Sequence, residues 1–163
     1  LSMTFKKDPT PFYGTCDAAH NVTPDCRGVS GWAFHLGPAI SWKSRTQTLV
    51  SLSSTESELI ACNDCCCEAL LLDKLTRDMG LTQPKPYLIG QDNQSTITLV
   101  NAGRFNARTK HIALRYHHAH SLQAAGTIKV TYLPTESMPA DVLTKPLEFV
   151  DFDNHSQIGR AHV

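Results

Sequence analysis

Four carboxylates in this 163-residue chain stand where a predicted strand or helix begins or ends. They are Asp17 at the close of the first predicted strand, Glu58 in the first turn of a long predicted helix, Asp92 where a buried strand passes into a helix, and Asp141 at the start of the last helix. Carboxylate oxygens are the ligands that Mg²⁺ and Mn²⁺ prefer. Each acid taken singly, however, also suits a helix N-cap or the positive end of the helix dipole. Residue type alone therefore leaves both interpretations open.

Helix geometry separates Glu58 from its neighbour Glu56. At about 100° per residue, Glu58 falls on the apolar face that must pack on the sheet. That face also carries Ala61, Cys62, Cys65, Ala69, Leu72 and Met79. Glu56 points the opposite way, toward the side expected to be solvated, where it can serve the cap with Ser53. A carboxylate aimed at the sheet needs a compensating cation or partner, and no Lys or Arg lies one turn away on that face, so bound metal becomes a serious option.

Composition favours one compact domain and excludes several function classes. The chain is 41% hydrophobic and 18% charged, with a formal net charge of zero, so a nucleic-acid partner would have to meet a local basic patch. No apolar run approaches the roughly 20 residues that span a bilayer. Four of the six cysteines crowd into one helical segment, Cys62 to Cys67. Without a secretion signal, we expect reduced thiols that fill the core inside a cell, and not disulfides or a zinc site.

The order of predicted elements is three strands, helix, strand, helix, helix, strand, helix. Antiparallel strands followed by βα units indicate a mixed sheet with helices packed on it. The long helix is predicted from about residues 53–55 to Met79, with Gly80 as its C-cap, and a short last helix has Pro139 in its first turn. Trp32 and Trp42, both at strand positions, are expected in the core.

Several segments of the chain resemble one known family, the ribonuclease H domains of Ty1/copia-type retrotransposon Gag-Pol polyproteins. The segments are GVSGWAFHLGPAISWKSRTQTLVSLSSTESELIA, DNQSTITLV, ARTKHIALRYH and LPTESMPADVLTKPL. They follow the family's order with similar spacing and cover roughly residues 12–147. We therefore expect three parts: a linker remnant over residues 1–10, the ribonuclease H domain over 11–147, and a disordered tail over 148–163. The tail ends in IGRAHV, which a common sequencing adapter would encode in one frame, so a non-native origin of this tail is a further hypothesis.

The resemblance implies an α/β ribonuclease H-like fold, with a five-stranded mixed sheet of order 3-2-1-4-5 flanked by helices. It maps the family's metal-binding acids onto Asp17, Glu58, Asp92 and Asp141, with Asp17 bridging two Mg²⁺ ions, for which Mn²⁺ is a possible substitute. The implied reaction is hydrolysis of the RNA strand of an RNA/DNA hybrid during reverse transcription. The implied partners are that hybrid and the reverse transcriptase domain of the same polyprotein, without a membrane. The resemblance also implies a location in cytoplasmic virus-like particles, with later entry into the nucleus.

Substrate contacts are expected with the backbone and sugars of the hybrid and not with its bases. Asn93, Gln94 and Ser95 follow a metal-site acid at a helix start, where amides can meet phosphate. The other candidates are Lys43, Arg45, Arg104, Arg108, Lys110 and His111, the last from the family's TKHI motif. For any single basic residue, an ordinary solvated surface remains an equal alternative.

Two departures from the family pattern leave an alternative open. His20 stands where the family usually has Trp, and the acid that usually follows KHI is missing. Neither departure removes a metal ligand, but a decayed copy with at most weak nucleic-acid binding is the second hypothesis. A third is an integrase-like nuclease, which the aspartate at position 141 disfavours because such an enzyme would be expected to carry Glu on its last helix.

Overall fold

The computed structural model describes residues 12–103 and 113–145, and five strands in this part of the chain form one mixed sheet. They are β1 (Tyr13–Ala19), β2 (Val29–His35), β3 (Ala39–Thr46), β4 (Tyr87–Gln91) and β5 (Ile128–Tyr132). Their spatial order is β3-β2-β1-β4-β5. The β1–β2 and β2–β3 pairs are antiparallel, and the β1–β4 and β4–β5 pairs are parallel. The predicted fold class and strand order are therefore confirmed.

Three α-helices and two short 3₁₀ helices complete the described part. They are α1 (Ser54–Asp78), α2 (Gln94–Ala102), α3 (Ala113–Ala124) and the 3₁₀ helices Thr135–Ser137 and Pro139–Leu143. The last of these, called the terminal 3₁₀ helix below, is the short final helix that the sequence predicts. Backbone bonds from Asp141 N to Met138 O and from Thr144 N to Asp141 O span three residues, which makes the turn tighter than an α-helix. The predicted tail and the basic loop beyond residue 103 lie outside the described residues.

The long helix α1 begins and ends where the sequence predicts. The Ser53 hydroxyl accepts a hydrogen bond from Glu56 N, which caps the first turn. At the other end Gly80 has a φ of 73°, the left-handed conformation that ends helices and that glycine adopts without a Cβ clash. Between these points α1 lies across the sheet and buries Leu59, Cys62 and Cys65 against it.

The core combines aromatic rings from the sheet with small residues from α1. Phe12 stacks on Phe34 and meets Tyr87 edge-on. All six cysteines are free, and four are buried, but Cys67 is exposed. Trp32 is buried, whereas Trp42 is 61% exposed, so its predicted core position is wrong. Trp42 lies on β3 at the edge of the sheet, where a side chain in a strand is not necessarily covered by other elements.

No helix in the described ranges is long and apolar enough to cross a bilayer.

Candidate metal and active site

Three of the four acids converge at one end of the sheet. Asp17 lies near the end of β1, and Asp92 follows the end of the parallel neighbour β4, so the two strands deliver their acids to the same edge. Glu58 reaches this edge from the first turn of α1. Asp17, Glu58 and Asp92 each offer a carboxylate oxygen, and these oxygens all lie within 4.8 Å of one another. Carboxylate oxygens this close, two of them on buried residues and one on the partly buried Asp92, can share a bound cation.

Asp141 joins the cluster through Asp17. Asp17 and Asp141 are both 4% exposed, and Asp141 adds to the raised pKa of Asp17, which indicates that the two carboxyl groups lie close together. Thr144, one residue beyond the terminal 3₁₀ helix, donates its hydroxyl to Asp17 Oδ2. Lys145 Nζ lies 2.9 Å from Asp141 Oδ1. Asp17 therefore links the Asp141 side of the cluster with Glu58 and Asp92.

Burial and mutual repulsion make this cluster reluctant to ionise. Burial raises the pKa of Glu58 to about 9, and the charges of Asp17 and Asp92 add to that rise. Burial also raises the pKa of Asp17 to about 6; the Thr144 hydroxyl opposes the rise, and Asp141 adds to it. A divalent cation would relieve both effects, since it compensates the negative charges that water does not reach. The donor set of carboxylate oxygens fits Mg²⁺ or Mn²⁺.

Neutral side chains that the sequence analysis missed hold the acids in place. Gln91 is fully buried, and its Nε2 donates to Glu58 Oε2 at 3.2 Å. Thr135 donates to Asp92 Oδ2 at 2.7 Å. Gln91, Thr135 and Thr144 all have uncharged side chains, and each lies far along the chain from the acid that it contacts. The available signal was position: Gln91 precedes Asp92, and Thr144 follows Asp141 within one turn.

Glu56 is capping, as predicted, but it is not solvated. Its Oε2 accepts from Leu52 N at 2.7 Å, and the residue is only 8% exposed. The prediction of a solvated side was wrong because the chain before α1 folds over this face of the helix. Glu56 still points away from the cluster of Asp17, Glu58 and Asp92, so the two glutamates have separate structural roles.

The predicted substrate-contacting residues fall in three places. Asn93 caps α2, accepting from Thr96 N at 3.0 Å, and Gln94 and Ser95 are exposed beside it at the helix start next to Asp92. Lys43 and Arg45 are exposed on β3, with Lys43 over the Trp32 ring and Arg45 paired with an α1 acid, Asp64, at 2.8 Å. A phosphate contact from Arg45 would have to compete with that ion pair. Arg104, Arg108, Lys110 and His111 lie outside the described residues.

His20 is bound to the loop that precedes α1. Its Nδ1 lies 3.0 Å from both Ser51 Oγ and Ser57 Oγ, and the residue is exposed. The imidazole therefore ties the segment after β1 to the start of α1. His20, which stands where the family usually has Trp, therefore has a structural role near Asp17 and Glu58.

The stability of the metal-free protein should fall as the pH rises from 7 to 8.5. Glu58 keeps a proton in the folded state up to about pH 9, whereas an unfolded glutamate has already lost it. The folded state thus binds more protons, and the free energy of unfolding drops by up to about 1.4 kcal/mol per pH unit. Burial lowers the pKa of His35, which affects stability only below about pH 6.5, outside this window. Urea unfolding at several pH values, without metal, measures the slope.

The matched comparison for this slope is Glu58→Gln, which cannot titrate. The difference between the two slopes isolates Glu58 from the cysteines that begin to ionise near pH 8.5. Equal slopes in the wild type and the variant would contradict a raised pKa at Glu58. Added Mg²⁺ should flatten the wild-type slope, since the bound ion stabilises the ionised carboxylate.

A methyl group at Gly31 should displace the terminal 3₁₀ helix. A Cβ added there would lie 2.7 Å from Thr144 Cγ2, 2.8 Å from Leu143 Cβ and 3.0 Å from Ala140 O. We expect Gly31→Ala to lower the free energy of unfolding by about 1 to 3 kcal/mol and to weaken metal binding, because Asp141 moves with the helix. Ser44→Ala, at the β3 position paired with Gly31, is the exposed control. A Gly31→Ala protein that binds metal as tightly as the wild type would refute this close-packing role.

Curated retrotransposon proteins are similar to this chain over most of its length. It is 41% identical over 134 residues to the retrovirus-related Pol polyprotein from transposon TNT 1-94 of Nicotiana tabacum, covering 82% of this chain and 10% of that protein. It is 35% identical over 136 residues to the corresponding polyprotein from transposon RE2 of Arabidopsis thaliana, covering 83% and 9%. The Ty1-DR1 Gag-Pol polyprotein of Saccharomyces cerevisiae is 32% identical over 146 residues, covering 83% and 8%. The chain spans about a tenth of the length of these relatives. No protein-family model matches it.

Solved structures with the same fold are ribonucleases H. RNase H1 from the halophilic archaeon Halobacterium salinarum NRC-1 aligns with a TM-score of 0.57 at 15% identity, covering 83% of this chain and 95% of that one. LC11-RNase H1 in complex with an RNA/DNA hybrid aligns with a TM-score of 0.55 at 12% identity, covering 82% and 93%. At these identities the likeness establishes the fold, and the chemistry has to be argued from the site.

Proposed function

This chain belongs with the ribonuclease H-fold segments of Ty1/copia-type retrotransposon polyproteins, and on that premise we propose that it hydrolyses the RNA strand of RNA/DNA hybrids. The single observation that carries the proposal is the convergence of Asp17, Glu58 and Asp92, whose oxygens lie within 4.8 Å of one another. The two buried carboxylates of this group, Asp17 and Glu58, destabilise the fold when ionised unless a cation compensates them. Their retention in a chain of this family favours a catalytic site over a structural one.

The acids would hold two divalent ions, Mg²⁺ or its substitute Mn²⁺. Bound there, the ions would supply a nucleophile from water at neutral pH and stabilise charge on the attacking and leaving oxygens. Asp17 would be shared between the ions, Asp141 would hold one side, and Glu58 and Asp92 would hold the other. This division agrees with the surroundings of Asp17, because Asp141 and Asp92 both raise its pKa.

The neutral partners of the acids would fix the carboxylates before an ion arrives. The Gln91 amide holds Glu58, and the Thr135 and Thr144 hydroxyls hold Asp92 and Asp17. A group held in its working geometry does not have to be ordered during the reaction, which lowers the entropic part of the barrier. Hydrogen bonds to ionised carboxylates also oppose the rise in pKa that burial causes.

The hybrid would lie across the edge of the sheet that carries the acids. Asn93, Gln94 and Ser95 at the start of α2 adjoin Asp92, where backbone N–H groups and the helix dipole favour a phosphate. Lys43 would contribute a point charge to a more distant part of the backbone. In a polyprotein, the reverse transcriptase domain would share the same hybrid, and we propose that the protein acts in cytoplasmic virus-like particles and later in the nucleus.

The decayed remnant and the integrase-like nuclease make different predictions from the proposed enzyme. A remnant would keep the fold but leave hybrids intact with any divalent ion. An integrase-like enzyme would cut or join DNA strands. The intact set of four acids and their hydrogen bonds supports an active site over a remnant, and the aspartate at position 141 supports the ribonuclease over the integrase.

Cleavage of labelled duplexes tests the proposed function. The purified chain, in Mg²⁺ and separately in Mn²⁺, is incubated with an RNA/DNA hybrid, a DNA duplex and an RNA duplex of the same sequence. We expect cleavage of the RNA strand in the hybrid alone, with 3′-hydroxyl and 5′-phosphate ends and none with a chelator present. Cleavage of the DNA duplex would favour the integrase-like alternative. An uncut hybrid, tested also with the reverse transcriptase domain attached to exclude weak substrate grip, would favour the remnant.

A further inference from the structure

A lysine stands on the Asp141 side of the acid cluster. Lys145 follows Asp141 by four residues, and its Nζ lies 2.9 Å from Asp141 Oδ1. The two partners differ in burial: the Asp141 side chain is 5% exposed and the Lys145 side chain is 45% exposed. The ion pair therefore joins a buried carboxylate to an ammonium group whose side chain reaches solvent.

The Asp141 carboxylate is the direct partner of this ammonium, and the charges of two other acids in the cluster favour its protonated form. Partial burial lowers the pKa of Lys145, but the bond to Asp141 and the charges of Asp141, Asp17 and Asp92 outweigh it, so the pKa lies above its usual range. The preceding residue, Thr144, donates to Asp17. Two consecutive side chains thus contact two different acids of one cluster, so the segment after the terminal 3₁₀ helix is part of the site's polar framework.

We propose that Lys145 is a tethered counter-cation of the acid cluster, which holds Asp141 in the metal-free protein and competes with a divalent ion for that carboxylate. The proposal rests on the proposed function, because it takes Asp141 as a metal ligand. An ammonium group 2.9 Å from Asp141 Oδ1 and a metal ion on the same oxygen cannot coexist without strong repulsion. The exposed, flexible lysine side chain can leave without unpacking the core, whereas a buried one could not.

The competing explanation is a structural ion pair that merely positions Asp141 for the metal. The two explanations predict opposite changes in metal affinity. If Lys145 competes, its removal strengthens Mg²⁺ binding. If Lys145 only positions the carboxylate, its removal leaves Asp141 misplaced and weakens Mg²⁺ binding. Neither measurement depends on catalysis.

Calorimetric titration of Mg²⁺ into the chain, without nucleic acid, tests the proposal. We expect Lys145→Met to bind Mg²⁺ about fivefold more tightly than the wild type, the change expected when a competing, partly exposed ion pair of about 1 kcal/mol is lost. Lys145→Arg keeps the charge and should bind within about twofold of the wild type. Circular dichroism establishes that each variant is folded before it is titrated.

Lys74→Met is the control for a general loss of positive charge. Lys74 is exposed on α1, sixteen residues beyond Glu58, or about 24 Å along the helix. That distance exceeds the screening length of about 10 Å at 0.1 M salt, so this variant should bind Mg²⁺ as the wild type does. Unchanged or weaker binding by folded Lys145→Met would overturn the tethered cation and leave the metal centre standing. Failure of the wild type and every variant to bind Mg²⁺ would overturn both.

Discussion

Replacing Glu58 with glutamine should slow cleavage of an RNA/DNA hybrid in Mg²⁺ about a thousandfold. The substitution keeps the size of the side chain and an oxygen that can accept from Gln91 Nε2, which now lies 3.2 Å from Glu58 Oε2. It removes one negative charge from a cluster whose oxygens lie within 4.8 Å of one another. A bound metal ion stabilises the charge of the transition state by several kcal/mol. Each 1.36 kcal/mol of lost stabilisation slows the reaction tenfold, so the loss of about three such steps gives the expected change. Single-turnover cleavage with saturating enzyme measures the chemical step without product release.

Glu56→Gln is the matched control, since it removes the same charge two residues away in the same helix turn. Glu56 accepts a hydrogen bond from the Leu52 N–H and is not one of the three acids whose oxygens converge. Glutamine can still accept that bond. We expect a rate within about threefold of the wild type and a loss of stability below about 1 kcal/mol from the weaker helix-dipole interaction. Activity that survived Glu58→Gln, or an equal loss in both variants, would remove Glu58 from the proposed metal site.

The elements and the orientation of Glu58 could be predicted from local periodicity, and the strand order from the resemblance to a known family. Alternating and 3.6-residue patterns set the elements, and the resemblance set their arrangement. The position of Glu58 around the helix axis was enough to predict that it faces the sheet, because the apolar face of a helix packs against the core. The same phase argument failed for Glu56, since phase does not show which other segments cover the far side of a helix.

The polar framework of the site could not be predicted because it consists of hydrogen bonds between neutral side chains and acids that are distant in the sequence. Thr144 and Asp17 are 127 positions apart, and Thr135 and Asp92 are 43 apart. A threonine near an acid has many ordinary surface roles, so nothing in its local sequence selects these. The burial of Trp42 was also mispredicted for lack of long-range information, because the sequence of an edge strand resembles that of a central strand.

Replacing Asp17 with asparagine should abolish cleavage and stabilise the metal-free fold. The pKa of Asp17 is raised to about 6 by burial and by Asp141, against the opposing Thr144 bond, so at pH 8 its ionised form is a cost to the folded state. A neutral asparagine removes that cost and can still accept the Thr144 bond through its side-chain oxygen. We expect a gain of about 2 kcal/mol in the free energy of unfolding, measured by urea titration in a chelator, with Mg²⁺ no longer adding stability.

Asp141→Asn is the control that distinguishes the effect of reduced charge repulsion on stability from the effect of a lost metal ligand on cleavage. It should also abolish cleavage, but it leaves Lys145 without the carboxylate that lies 2.9 Å from its Nζ, so the metal-free fold should gain little or nothing. A stabilised Asp17→Asn beside an unstabilised Asp141→Asn would mean that Asp17 carries the uncompensated charge of the cluster. Equal stabilisation of both variants would contradict the pairing of Asp141 with Lys145, and destabilisation by Asp17→Asn would contradict the repulsion itself. The contrast follows from one physical difference. The two buried aspartates share a site, but among the described residues only Asp141 has a cation in contact with it.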